Sequence, residues 1–180
     1  MIFYDDPEKK ERDEDSLLSY SMNMFLRSPD KDPELYLIFP MAKAVLLATN
    51  SIKEFVSMHN YTDPDVGFTV VGASKRGQHT WQVGVADRPD LYARIDAIMP
   101  MVPIVPLLTR DMHRAWRDYG GFTWAMTPFI DVGLIGLMDD PDAVHGMAKV
   151  DPFTFTEKLS KIPVMAVVSS GDEFMQLDWT

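Results

Sequence analysis

Ser74 is the residue in this chain best placed to act as a nucleophile. It sits in Val70-Val71-Gly72-Ala73-Ser74-Lys75-Arg76-Gly77-Gln78, where an apolar, β-branched run gives way at once to helix-compatible residues. A serine hydroxyl attacks a carbonyl only when its oxygen is exposed and a base is held beside it. A sharp strand-to-helix turn provides the exposure, and glycines beside the serine let strand and helix approach closely. The spacing departs from G-x-S-x-G, because Gly77 follows the serine by three residues and not two.

A glycine loop can also cradle phosphate, and Gly-Ala-Ser-Lys opens the nucleotide loop of short-chain dehydrogenases. That loop needs glycines where this chain has Arg76 and Gln78, and none of its six tyrosines has a lysine four residues on. No Gly-Lys-Ser/Thr exists for a Walker loop. Asp96 lies at a distance suited to a ribose contact, but inside an expected strand and not at its end. Dinucleotide binding is therefore not expected.

Serine hydrolysis also needs an acid and a histidine, which in α/β-hydrolases follow the serine in that order. Asp172 lies in Ser169-Ser170-Gly171-Asp172-Glu173-Phe174, after a third apolar run, where such an acid sits; the plain alternative is a polar turn. No histidine follows it. His59 precedes the turn and ends a helix, His79 is too local to face Ser74, and His113 and His145 read as surface or lid residues. The triad is incomplete within this chain.

The elements that must hold these residues follow from periodicity. Residues 16–26 suit a short helix. From Pro40 a longer helix is expected, with a stripe of Met41, Ala44, Val45, Ala48, Ile52, Phe55 and Val56. Strands are expected at 68–71, 93–102 and 163–170, with helices to about Ala86 and within 151–160. Between the last two strands, residues 103–150 form helical pieces punctuated by proline and glycine and rich in aromatics, notably Trp116, Tyr119, Phe122, Trp124 and Phe129. They read equally as a cap over an apolar pocket or as ordinary core, with Arg117 and Asp118 able to orient a substrate. The alternation predicts an α/β fold, a parallel sheet with helices on both faces. Three strands with long apolar edges look like the second half of a larger sheet.

Composition narrows the function. The 180 residues carry a formal charge of −10, and residues 1–15 read as an acidic, solvated leader ahead of a domain at 16–180. Such a balance lacks the positive footprint of a nucleic-acid partner. Without cysteine there is no disulfide or thiolate chemistry. The longest apolar run, Ile98 to Leu108, is too short to span a bilayer and is broken by three prolines. The first residues show no export signal, which leaves the compartment open.

The blocks Phe-Pro-Met-Ala-Lys-Ala-Val (39–45), Val-Val-Gly-Ala-Ser-Lys-Arg-Gly (70–77), Tyr-Gly-Gly-Phe (119–122), Val-Asp-Pro-Phe-Thr-Phe (150–155) and Val-Val-Ser-Ser-Gly-Asp-Glu-Phe (167–174) occur in an order that resembles the PhoPQ-activated pathogenicity-related proteins. Eukaryotic members of that family include autocrine proliferation repressor proteins. The resemblance implies a partial α/β-hydrolase fold with a cap insertion at about 103–150, Ser74 as nucleophile and Asp172 as acid. It implies that the first strands, the last strand and the histidine lie outside this chain, and that the backbone N–H of Lys75 is one oxyanion donor. Family members are commonly exported. The expected protein is thus a piece of a serine hydrolase acting on an ester or amide of an undefined small molecule or peptide, without cofactor or metal, and inactive by itself. The alternative is a secreted signalling or binding protein that keeps the scaffold without catalysis.

Overall fold

The computed structural model describes residues 14–61, 63, 65–102 and 108–172. Most of the expected leader (1–13), the prolines at 103 and 106, and residues 173–180 lie outside the described residues.

The first helix, α1 (Glu14–Arg27), buries Leu18, Met22, Phe25 and Leu26, one face of a 3.6-residue repeat. Ser21 ties it to the start of the second helix: its hydroxyl donates to the Leu18 carbonyl (2.8 Å) and accepts from the Leu37 N–H (3.1 Å). That second helix, α2 (Ile38–Met58), buries Ile38, Ala42, Leu46 and Thr49. The expected stripe is a different face, since Ala44, Ala48, Ile52 and Phe55 are exposed. Residues 41–48 are apolar around most of the circumference, so periodicity does not fix the rotation. Long-range contacts do. The Asn50 amide donates to the Leu91 carbonyl (3.3 Å) and its oxygen accepts from the Ala93 N–H (2.5 Å), holding the polar side of α2 against the body.

The sheet follows from two βα steps. Strand β1 (Phe68–Ala73) pairs in parallel with β2 (Ile95–Met101), and α3 (Lys75–Ala86) makes the crossover. The expected third strand is present as a parallel segment beside β2, bridged at Ile98–Val164 and Met101–Val167. Helix α3 is buried along most of its length and joins a core with Phe68, Val70, Ile98 and Leu159. Thr69, Val71 and Ala73, which alternate with those strand positions, are exposed. Helices were expected on both faces; among the described residues they cover one.

The segment after β2 holds α4 (Leu108–Tyr119), α5 (Thr127–Asp131) and α6 (Pro141–Ala148), separated by single 3-10 turns. Asp140 caps α6 by accepting from the Ala143 N–H (2.9 Å). This segment packs on α1 around Phe25, Tyr36, Leu134 and Met147, with the Phe25 and Tyr36 rings stacked. A 3-10 turn at Pro152–Phe155 and α7 (Thr156–Leu159) return the chain to the sheet.

Candidate active site

Ser74 stands between the last residue of β1 and the first of α3 with φ 56° and ψ −127°. An L-residue enters this region only under constraint, at about 1–3 kcal/mol. The constraint is visible: the Ser74 N–H donates to the Met101 carbonyl at the end of β2 (2.9 Å), while its own carbonyl accepts from the N–H groups of Gly77 (2.8 Å) and Gln78 (3.2 Å). The side chain is exposed and makes no capping bond to the helix it opens. Val102, at the end of neighbouring β2, also has positive φ (36°). The two strained residues follow the C-terminal ends of adjacent parallel strands, where ligand sites of such sheets lie.

Strain at a serine is removable. Ser74→Gly is expected to be more stable than Ser74→Ala by about 1 kcal/mol or more, because glycine accepts positive φ without a Cβ penalty and alanine does not. Urea unfolding of the two variants reads this difference directly.

The departure from G-x-S-x-G has a structural answer at Gly72. A Cβ there would stand 2.4 Å from the Arg76 carbonyl oxygen and 2.7 Å from Thr80 Oγ1. The close approach of strand and helix is thus accommodated on the strand side, by Gly72, with arginine two residues after the serine.

Lys75 is the first residue of α3, where backbone N–H groups face out of the helix start. Its side chain is buried, and its ammonium pairs with Asp15 Oδ1 of α1 (2.5 Å). A cation at a helix N-terminus opposes the helix dipole, and Asp15 offsets it. Asp15, the last residue of the expected leader, is therefore part of α1 and buttresses the turn. Nothing in the local sequence signals that pairing.

Asp172 follows the third parallel segment and is half-buried. Its backbone carbonyl accepts from the Tyr119 hydroxyl at the end of α4 (2.8 Å), which ties the 108–150 segment to the loop after the third parallel segment. The register sets Ala73, Met101 and Val167 side by side, so Ser74 and Asp172 both follow the C-terminal edge of the sheet, Ser74 directly after β1 and Asp172 five residues past Val167. Arg117 and Asp118 are bonded to each other at the surface (3.0 Å).

The four histidines are placed elsewhere. His79 is buried beneath the turn, with Nδ1 donating to the Lys75 carbonyl (2.6 Å) and Nε2 3.1 Å from Met41 Sδ. His59 is exposed between the rings of Phe55 and Tyr61. Exposed His113 lies between the Thr109 carbonyl and Asp139 (2.7 Å), which raise its pKa in that order of effect. His145 is exposed on α6. Asp96 is in β2, exposed, and bonded to Arg94 (2.6 Å).

Beside the site lies a polar seam that the sequence did not indicate. Gln82 donates to the Val150 carbonyl (2.7 Å), and the Gln78 amide reaches the hydroxyl of Tyr36 (3.5 Å), whose pKa burial pushes up to about 12. Asp111 of α4 has a buried, unpartnered Oδ2. Burial pushes its pKa up to about 6, with Arg114 and Arg110 pulling it down and Asp151 adding to the rise. A carboxyl whose folded pKa exceeds its unfolded value near 4 favours the fold below pH 4 and loses that contribution as pH rises through 6. Asp111→Asn is therefore expected to stabilise the protein at pH 7, by about 1 kcal/mol once solvent screening of this partly exposed group is allowed for. The gain should vanish below pH 4, as denaturant melts at the two pH values would show.

Among the described residues no group of three or more His, Asp or Glu is arranged to hold a metal ion, and no helix is long and apolar enough to cross a membrane.

Comparison with known proteins gives a consistent relationship. The model of the PhoPQ-activated pathogenicity-related protein family matches residues 1–180. The chain is 32% identical over 168 residues to autocrine proliferation repressor protein A of Dictyostelium discoideum, covering 93% of this chain and 32% of that protein. It thus spans about a third of the length of the curated relative it matches. No solved structure matches.

Proposed function

Since this chain belongs to the PhoPQ-activated pathogenicity-related protein family, we propose that it carries the nucleophile and the acid of a serine hydrolase, on an α/β-hydrolase-like sheet completed by chain outside these 180 residues. The observation that carries the reading is Ser74 itself: exposed, uncapped, and held at φ 56° and ψ −127° between strand and helix. Strain of this kind persists where the surroundings impose it, and it concentrates at working sites.

In this mechanism Ser74 Oγ attacks the carbonyl carbon of an ester or amide. Its proton passes to a histidine supplied from outside the chain, and Asp172 orients that imidazole and stabilises its charged form. The oxyanion accepts from the Lys75 N–H and from a second donor beyond this chain. The histidine returns its proton to the departing alcohol or amine, and water then releases the acyl group from Ser74.

A second reading has its own support. The relative is named as a proliferation repressor, and the histidines seen here are engaged elsewhere, His59 with the Phe55 carbonyl, His79 with the Lys75 carbonyl and His113 with Asp139. A binding or signalling protein on the same scaffold would keep the turn without turnover. The two separate in one assay: turnover of p-nitrophenyl acetate by the protein as its source makes it. Turnover that depends on Ser74 supports the hydrolase, and its absence from folded, purified protein supports the binding role.

A further inference from the structure

Where α1, α3 and the 108–150 segment meet, the structure holds an apolar cavity of about 50 Å³. Five methionines line it: Met22 from α1, Met112 from α4, Met126 and Met138 from the turns between, and Met147 from α6. Among the described residues, polar groups reach it only from Tyr36, Gln78 and Thr109, and no charged side chain lines it. Gln78 belongs to α3, one helical turn beyond Ser74, and its N–H donates to the Ser74 carbonyl. Cavity and proposed nucleophile are thus joined through the first turn of α3, which Ser74 opens and from which Gln78 reaches the cavity wall.

We infer that this cavity binds an unbranched aliphatic chain, the apolar end of the substrate cleaved at Ser74; the inference rests on the hydrolase reading above. Size and lining both select the chain. A cavity of about 150 Å³ takes benzene, and one water-sized group needs about 10–15 Å³ on this measure. A volume of about 50 Å³ therefore holds roughly four such groups, about a third of the volume of a cavity that takes benzene. Thioethers are flexible and polarisable, so five of them conform to a chain that itself bends. Mostly apolar walls offer little to retain water and nothing to pair with a charge.

The test uses the Ser74→Ala form of the protein as its source makes it, so that binding is read without catalysis. Its methionine methyls are labelled with carbon-13 and followed by NMR during titration with ethanol, 1-butanol, 1-hexanol and benzyl alcohol. The cavity methionines should shift with the linear alcohols. Affinity should rise about fourfold per methylene until the chain reaches about four carbons, then level off. Benzyl alcohol should bind at least tenfold more weakly than 1-butanol. Ala143→Leu, which fills the cavity from α6 and leaves the Asp140 cap intact, should weaken 1-butanol at least tenfold. Met126→Ala, which enlarges the cavity, should admit benzyl alcohol. Unmoved cavity methionines, or equal 1-butanol affinity with and without Ala143→Leu in folded protein, would overturn the inference. Alcohol binding, with no fluorophosphonate capture of Ser74 in the unsubstituted protein, would instead overturn the hydrolase reading and leave the cavity as an aliphatic binding site.

Discussion

Ser74→Ala is expected to lower ester turnover by the protein, as its source makes it, by about four to six orders of magnitude while leaving the fold intact. The size follows from the role. Without Oγ no acyl-enzyme can form, and what remains is the modest rate that substrate binding and an oxyanion donor give to direct attack by water. The fold should persist because the contacts that hold residue 74 are made by its backbone: its N–H donates to Met101, and its carbonyl accepts from Gly77 and Gln78. Alanine keeps all three. A loss of turnover with an unchanged melt therefore separates chemistry from structure. A tenfold loss or less would place the nucleophile elsewhere.

Gly72→Ala is expected to be among the most damaging single-methyl changes in the chain, at about 3 kcal/mol or more. The added carbon would meet the carbonyl oxygen and carbon of Arg76 at 2.4 and 2.7 Å, and Thr80 Oγ1 at 2.7 Å. Two of these atoms are backbone in the first turn of α3, and Thr80 Oγ1 is itself bonded to the Arg76 carbonyl (2.9 Å). Relief requires moving α3 off β1, which would tilt the Ser74 turn and open the core around Val70 and Val83. Gly84→Ala is the control. Its Cβ would meet only side-chain ends, with Ile98 and Leu159 nearest at 3.0 Å; these can turn aside, and alanine improves helix propensity there. Denaturant melts should show little change for Gly84→Ala and a large loss for Gly72→Ala. Comparable effects would remove the close-approach argument.

How much of this the sequence carried depends on the range of the interaction. The strand-turn-helix around Ser74 is readable because its determinants are adjacent: β-branched residues, two small residues, then a helical run. The order of β1, β2 and the third segment follows from the same alternation. The buried face of α2 differs from the expected stripe because Ala42, Val45, Leu46, Leu47 and Ala48 leave no polar side there, and the rotation is set by Asn50 meeting residues 91 and 93. Lys75 with Asp15, and Gln78 with Tyr36, join residues 60 and 42 positions apart, beyond any local pattern. Tyr119 is one aromatic among several in the sequence, and its bond to the Asp172 loop arises only from the folding of 108–150 back over the strand ends. The shift at Asp111 comes from burial against that same seam, which periodicity does not encode.

Ser74 as an activated nucleophile is the central claim, and covalent capture tests it most directly. Native extract treated with a fluorophosphonate probe, then digested and mapped by mass spectrometry, should yield the peptide around Gly72-Ala73-Ser74 with the adduct on Ser74 Oγ, lost in Ser74→Ala. Recovery of that peptide from folded protein without adduct, under conditions that label other serine hydrolases in the same extract, would contradict the claim and leave the strained turn to a binding protein.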